Sequence, residues 1–290
     1  MDRFSFLTAL DAKVCFDYPS LSAFKCGGNI GAVIFPEDRW ELLQAVDLLK
    51  RAGEDYKVIA NGTNVLIRDE GIFGAVICTK YLCGIDVEDD MWHVGAGEGI
   101  VKLARLAANS GFSGLEWLCS IPGTVGGGVA MNCSAFGRQI ADLVEYMDIL
   151  TEDGIERLKA SELAFSYRTS LVKDKGIAVG AGIRLVEGDK YAIARDMLAY
   201  RIARQKSQPS GISLGSTFKR AGDVSAGYYI DKAGLKGYKI GGAQISFKHA
   251  NFIINTGGAK ADDFLQVAEY ARQEVDKLFG VRLQYEIDVL

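Results

Sequence analysis

The sequence predicts an α+β protein. Three observations carry that expectation. Apolar runs of strand length recur along the chain, helix-spaced apolar repeats lie between them, and 290 residues at 49% hydrophobic content supply one large core or two to three smaller ones. With 24% charged residues, the composition is that of an ordinary globular chain.

The elements follow in order. Gly27-Gly28 precedes a strand over 32–35. Pro36 and Glu37 then open a helix with Trp40, Leu43, Val46 and Leu49 on one face, ended by Gly53. Residues 58–60 read as a strand, 61–64 as the loop after it, and 74–77 as another strand, which makes a first part of residues 1–80. A second part, 81–189, has a strand over 92–97. Its helix turns Ile100, Leu103, Ala104, Leu106 and Ala107 inward and closes at Gly111. A hairpin joins 147–150 to 155–158 around Asp153-Gly154, and strands run over 177–180 and 183–186. The polar stretch 187–190 marks a boundary. The third part, 190–290, begins with a helix through Met197 and Ile202 and ends with one carrying Phe264, Ala268, Ala271, Val275 and Leu278. In the last segment Val281, Leu283, Tyr285, Ile287 and Val289 alternate with Arg282, Gln284, Glu286 and Asp288. That period of two predicts a half-buried strand with Glu286 on its polar face.

Charge and termini narrow the function. A net charge of −4 argues against a general nucleic-acid binder. The opening Met1-Asp2-Arg3-Phe4-Ser5-Phe6-Leu7 lacks the apolar core of a secretory signal, and no apolar run reaches the ~20 residues of a membrane-spanning helix. A cytoplasmic protein with no nucleic-acid and no membrane partner is expected. The six cysteines (Cys15, Cys26, Cys78, Cys83, Cys119 and Cys133) are spread too widely for a small disulfide scaffold and form no C-x-x-C pair. The two histidines, His93 and His249, stand far apart. No metal is expected, and the thiols read as reduced and mostly buried.

Residues 121–128, Ile-Pro-Gly-Thr-Val-Gly-Gly-Gly, are the densest signal for chemistry. Four glycines in six positions bare the backbone N–H groups for a bulky anion such as a dinucleotide diphosphate, and Pro122 stiffens the entry to this loop. Asn61-Gly62-Thr63-Asn64 is a second cradle of the same kind. The glycine run lacks the Lys-Ser/Thr of a P-loop and is not a G-x-G-x-x-G fingerprint; a packed glycine corner explains its composition equally well. Between Lys219 and His249 six basic residues face two acidic ones, an excess suited to a phosphorylated ligand or to a solvated face. Ser216 follows Gly215 in a tight turn with no G-x-S-x-G elbow around it, and His93 reads as structural.

Taken together, several segments resemble the UDP-N-acetylenolpyruvoylglucosamine reductase family, flavoenzymes that complete UDP-N-acetylmuramic acid in bacterial peptidoglycan synthesis. The resemblance runs from about Phe24 to the C-terminus. It rests on Asn61-Gly62-Thr63-Asn64-Val65-Leu66-Ile67, on Gly114-Leu115-Glu116-Trp117-Leu118 leading into Ile121-Pro122-Gly123-Thr124-Val125-Gly126-Gly127, and on Met131-Asn132 with Ala135-Phe136-Gly137. It continues through Tyr167-Arg168-Thr169-Ser170, Gly215-Ser216-Thr217-Phe218-Lys219 and residues 233–244 into His249-Ala250-Asn251-Phe252. It implies a two-subdomain FAD-binding fold of the vanillyl-alcohol-oxidase type plus a C-terminal α+β substrate domain, in the compact variety without an extra insertion.

The resemblance also implies non-covalent FAD held by Asn61, Gly62, Thr63, Asn64, Val65, Leu66, Ser120, Ile121, Pro122, Gly123, Thr124, Val125, Gly126, Gly127 and Asn132. NADPH is implied as co-substrate, a nucleotide sugar as the small-molecule substrate, and a monomer as the working form. Hydride passes from NADPH to flavin N5 and from there to C3 of the enolpyruvyl ether. Ser216 matches the proton donor to C2, while Arg168 and Glu286 match the groups that hold the substrate carboxyl, Glu286 in its protonated form. Arg204, Lys219, Arg220, Gln244 and His249 fall at positions suited to the substrate. The chain departs from the family pattern with Ala23 in place of Thr, Cys119-Ser120 before Ile121, Cys133-Ser134 after Asn132, and Arg220-Ala221 after Lys219. Two other readings stay open: a flavin-dependent alcohol or sugar oxidase of the same broad fold, and a non-catalytic UDP-sugar binder.

Overall fold

The computed structural model describes residues 3–290; Met1 and Asp2, at the head of the segment read for a signal peptide, lie outside it. The chain divides into two compact units. One comprises Met1–Cys15, Ala32–Asn61 and Gly74–Arg204, the other Phe16–Gly31, Gly62–Phe73 and Gln205–Leu290.

A four-stranded sheet, most of whose residues belong to the first unit, runs in the order Lys13–Tyr18, Ile30–Phe35, Ile72–Cys78, Tyr56–Ile59. Helix α1 (Arg39–Ala52) covers it. The Asp38 side chain caps the helix by accepting from the Glu41 N–H at 2.9 Å, and Gly53 closes it in the left-handed conformation at φ 68°. Leu42, Ala45, Val46 and Leu49 are buried. Trp40, expected inside, is 64% exposed. Steps of three residues fall about 60° short of a full turn, so the Trp40–Leu49 row drifts to opposite sides of the helix.

A five-stranded antiparallel sheet, ordered Gly154–Lys159, Val144–Thr151, Ile177–Arg184, Met91–Gly95, Ile85–Glu88, forms the rest of this unit. Residues 177–184 make one continuous strand rather than the two expected, because the ladder to Val144–Thr151 continues through Gly180 and Gly182. The expected hairpin around Asp153-Gly154 is present, with Leu150 opposite Ile155. Helix α2 (Ile100–Ser110) buries Ile100, Leu103, Ala104 and Ala107 and ends at Gly111 in the left-handed region, while Leu106 lies more than 90° off that stripe and is exposed. The cores of the unit gather around Leu42, Leu49 and Ile77, and around Trp92, Trp117 and Met147.

The run read as a glycine loop is mostly helix: α3 (Val125–Ala130) contains Gly126, Gly127 and Gly128. Helix α4 (Lys190–Ser207) starts at the polar stretch and follows the expected helix through Met197 and Ile202.

The second unit packs α5 (Ala226–Lys232) and α6 (Ala261–Phe279) on a four-stranded antiparallel sheet ordered Ile212–Ser213, Ile253–Asn255, Ala243–Ile245, Lys239–Ile240. Phe264, Val267, Ala268, Ala271 and Val275 fill its core, and Phe24 meets Phe264 edge-on at 4.9 Å. Leu278, expected on this face, sits in the last turn and is 53% exposed. Residues 281–287 do not form the expected continuous strand: 281–284 are irregular and Glu286 and Ile287 form a bend. Leu283 and Ile287 are buried, yet regular pairing is confined to one bridge, Phe218 to Tyr285, and to Asp288–Val289 beside Val65–Leu66. All six thiols are free as expected; Cys78 is buried, Cys15, Cys26, Cys119 and Cys133 are partly buried and Cys83 is exposed, so the expected burial is only partial. Among the described residues no helix is long and apolar enough to cross a membrane.

Candidate active site

In the first unit the site is built on α3. Thr124 caps the helix, its hydroxyl accepting from the Gly127 N–H at 3.2 Å. Packing explains two of the glycines. A Cβ on Gly126 would stand 2.8 Å from the Ala96 Cβ, and one on Gly128 would stand 2.8 Å from the Ile100 Cδ1. Gly127 is different: a Cβ there would lie 3.4 Å from the Thr124 hydroxyl and 3.9 Å from the Ala60 Cβ, ordinary contact distances. Its free side faces the end of strand Tyr56–Ile59, where the Asn61 turn begins. The expectation of bare amides along the whole run is corrected. Val125 donates to the Glu98 carbonyl, Gly126 to that of Ala96 and Gly128 to that of Thr124.

Ser120 supplies a polar group in the turn that leads to this helix. Its hydroxyl is buried with no protein partner except the neighbouring Cys119 thiol. That thiol reaches the Met197 carbonyl of α4 at 3.4 Å. Burial pushes the Cys119 thiol up; Ser120 and the charges of Arg201 and Arg204 pull the other way. Burial also lowers Arg204 from its ordinary value, against the pull of Cys119. Arg204 and Ser120 are therefore neighbours of one thiol. A buried hydroxyl without an oxygen or nitrogen partner in the turn before α3, together with a glycine of α3 that has room for a side chain, fits a polar cofactor at this helix.

Arg168 is presented by a tight turn. Ser166 and Thr169 exchange both backbone hydrogen bonds, at 3.1 and 3.3 Å, and Arg168 takes φ 60° between them. Its Nη1 donates to the Ser134 hydroxyl at 3.0 Å. Asn132 has its side chain engaged within the protein. The amide nitrogen donates to the Gln139 Oε1 and the Ser166 carbonyl, both at 3.1 Å, and the oxygen accepts from the Ala141 N–H.

In the second unit the remaining turn residues are stitched to the C-terminal segment. Gly62 at φ 61° lies against the chain at Leu21, whose carbonyl oxygen would be 1.9 Å from an added Cβ; no other residue fits. The Asn64 amide donates to the Glu286 carbonyl at 3.0 Å, and the Asn64 carbonyl accepts from the Asp288 N–H at 2.9 Å. The Glu286 N–H in turn donates to the Thr217 carbonyl at 2.9 Å, which brings the backbone of Glu286 next to the residue after Ser216. Gly215 at φ 79° makes the turn before Ser216, which is half-buried like Glu286.

Asn251, which sequence reasoning left without a role, fixes this arrangement. Its side chain accepts from the Phe218 N–H at 3.0 Å and donates to the Phe218 carbonyl at 2.8 Å, while its backbone carbonyl accepts from Thr217. Nothing periodic marks it; only its place in the 249–252 segment is a signal. Thr217 was missed for the same reason, and its hydroxyl is buried without a protein partner.

His249 Nδ1 accepts from the Asn251 N–H at 3.3 Å. Burial, with Lys236 nearby, lowers its pKa and keeps it in the neutral form that can accept. Gln244 is tied to the Gly237 carbonyl. Lys219 is half-buried and Arg220 exposed. The basic excess is partly neutralised, since Lys236 pairs with Asp231 at 2.7 Å and Lys248 donates to the Gln205 carbonyl. Of the two histidines, His93 stands in strand Met91–Gly95 against the Tyr146 hydroxyl.

Comparison with known proteins agrees along the chain. Residues 30–159 match the model of an FAD binding domain, and residues 207–290 that of the UDP-N-acetylenolpyruvoylglucosamine reductase C-terminal domain. The chain is similar to the UDP-N-acetylenolpyruvoylglucosamine reductase of Halalkalibacterium halodurans, 39% identical over 273 residues covering 93% of this chain and 91% of that one. It is similar to that of Thermosipho melanesiensis, 40% identical over 92% of this chain and 91% of the relative. The crystal structure of the reductase from Thermus caldophilus superposes with a TM-score of 0.84 at 33% identity, over 97% of this chain and 99% of that one.

Proposed function

The chain belongs to the UDP-N-acetylenolpyruvoylglucosamine reductase family, and from that membership we propose that it reduces the enolpyruvyl group of UDP-N-acetylglucosamine enolpyruvate to give UDP-N-acetylmuramate. The observation that carries the reading is the similarity at 39–40% identity over more than nine-tenths of both lengths, through the flavin half and the substrate half alike. An oxidase would share only the first half, so the match over residues 207–290 favours the reductase.

FAD is bound without a covalent link, by Asn61–Leu66 and the Ser120–Gly127 turn and helix, with Asn132 bracing the turn behind Arg168. When bound, FAD supplies the hydride relay between a nicotinamide, here NADPH, and the alkene. The chain's own residues do the rest. Arg168 takes the substrate carboxylate in its planar fork, an interaction that strengthens as charge moves onto those oxygens. Ser216 holds the proton for C2; a hydroxyl is a weak acid, so its turn must fix it close to that carbon. Glu286 in its acid form donates a hydrogen bond to the same carboxylate. Arg204, Lys219, Arg220, Gln244 and His249 receive the nucleotide-sugar, the cations on its diphosphate. Residues 1–80 and 81–189 serve the flavin and 190–290 the substrate, a division supported by the two family matches. The protein works as a cytoplasmic monomer, and its product feeds peptidoglycan synthesis and hence cell shape and division.

Anaerobic mixing tests this. NADPH is expected to bleach the flavin absorbance and the enolpyruvyl sugar to restore it. Bleaching without restoration would remove the substrate assignment, and oxygen uptake with an alcohol and no need for NADPH would favour the oxidase.

A further inference from the structure

The hydroxyl of Ser134 is a side-chain partner of the Arg168 guanidinium, at 3.0 Å from Nη1. Residues Ser134–Ala135 and Arg138–Gln139 form a two-stranded hairpin whose loop residues, Phe136 and Gly137, take φ 55° and 75°. Two successive positive φ values give a tight turn that matches strand twist and pins the register, with Ser134 opposite Gln139. The hairpin is tied at its base, where the Asn132 amide bridges Gln139 and the Ser166 carbonyl. Ser170 adds a third tie, donating to the Ala130 carbonyl at 3.2 Å. The Arg168 turn and the segment that carries the hairpin are thus tied together by hydrogen bonds to the backbone at Ser166 and Ala130. Ser134 meets the guanidinium itself.

The neighbouring Cys133 thiol cannot share this role. Burial raises it to about 12 despite the nearby charge of Arg168, so it remains a neutral thiol. A hydroxyl accepts from the guanidinium without cancelling its charge. A carboxylate in the same place would neutralise the cation needed for the substrate.

We propose that Ser134 is a positioning residue for substrate reduction: by taking one Arg168 N–H it fixes the rotamer from which the guanidinium meets the substrate carboxylate. The proposal rests on the reading of Arg168 given above. An arginine side chain carries much rotamer entropy, and a partner that settles it beforehand leaves less to lose when the enolate forms.

The test is a double-mutant cycle read in the two half-reactions separately. Ser134→Ala, and Ser134→Gly as a second hydroxyl deletion, are expected to slow flavin reoxidation by the enolpyruvyl sugar about tenfold, the scale of one hydrogen bond to a charged group. The bleaching rate with NADPH should hold to within about twofold, and Ser134→Thr should restore reoxidation. In an Arg168→Lys background, removing the hydroxyl should have little further effect, because the fork it orients is gone. Losses that add in the double variant, equal slowing of both half-reactions, or no slowing in either deletion would overturn the proposal. A wild-type protein whose flavin is bleached but never restored would instead sink the reading of the site, and the positioning role with it.

Discussion

Ser216 and Glu286 sit on neighbouring stretches because the Glu286 N–H donates to the Thr217 carbonyl. The roles proposed for them differ and separate experimentally. Ser216→Ala should leave bleaching by NADPH intact and depress reoxidation by the enolpyruvyl sugar at least 10²-fold, since it removes a proton needed only then. Glu286→Gln keeps a hydrogen-bond donor, and a small change in reoxidation would mark its role as purely electrostatic. Stopped-flow traces of each half-reaction distinguish these outcomes. His249 offers a pH test of the same region. Its lowered pKa means that the unfolded chain takes up a proton before the folded one does. Stability should therefore be flat above the ordinary histidine value of about 6.5 and fall as pH drops below it. The cationic ring would lose the acceptor that Nδ1 offers to the Asn251 N–H, and Asn251 holds Thr217 and Phe218. Thermal melts between pH 7 and 5 should show a smaller fall in His249→Gln than in the parent; equal falls would place the effect elsewhere.

Helix α3 shows how one run of glycines serves two purposes. At Gly126 and Gly128 a side chain would collide with Ala96 or Ile100. At Gly127 the methyl of an alanine fits the free protein. Gly126→Ala should destabilise by about 1–3 kcal/mol through overpacking, partly offset by better helix propensity. Gly127→Ala should hold or raise the flavin-free stability by up to ~1 kcal/mol, yet weaken FAD binding by placing a carbon where the proposed site receives the cofactor. Urea melts of the flavin-free proteins and flavin titrations measure both halves. Unchanged FAD affinity in Gly127→Ala would remove α3 from the cofactor site. The sequence marked this run as special but suggested a loop, because glycine's poor helix propensity argues against helix. The Thr124 cap and the contacts with Ala96 and Ile100 overrule that propensity. Trp40, Leu106 and Leu278 were misplaced for a related reason: spacing names a stripe, but only packing decides how wide it is and where it ends.

For the whole molecule, FAD acts as a ligand of the native state. Flavin-free protein should melt at a lower temperature than the loaded form, by the equivalent of about 2.7 kcal/mol when flavin exceeds its Kd a hundredfold; coincident melts would deny a binding site of that affinity. The candidate residues are distributed over both compact units. Asn61, residues 120–127, Asn132, Arg168 and Arg204 belong to one; Gly62–Leu66, Ser216, Lys219, Arg220, Gln244, His249 and Glu286 belong to the other. The sequence by itself determined the α+β class, the major helices with their glycine stops, and the family, because apolar period, capping chemistry and motif residues are local properties written in order along the chain. Only the tertiary structure decided that Ser134 would meet Arg168, that Asn251 would clamp Phe218, and that residues 281–287 would form no regular ladder beyond one bridge. Those outcomes depend on which distant segment supplies the partner for each polar group, and burial enforces that pairing only once the chain has closed on itself.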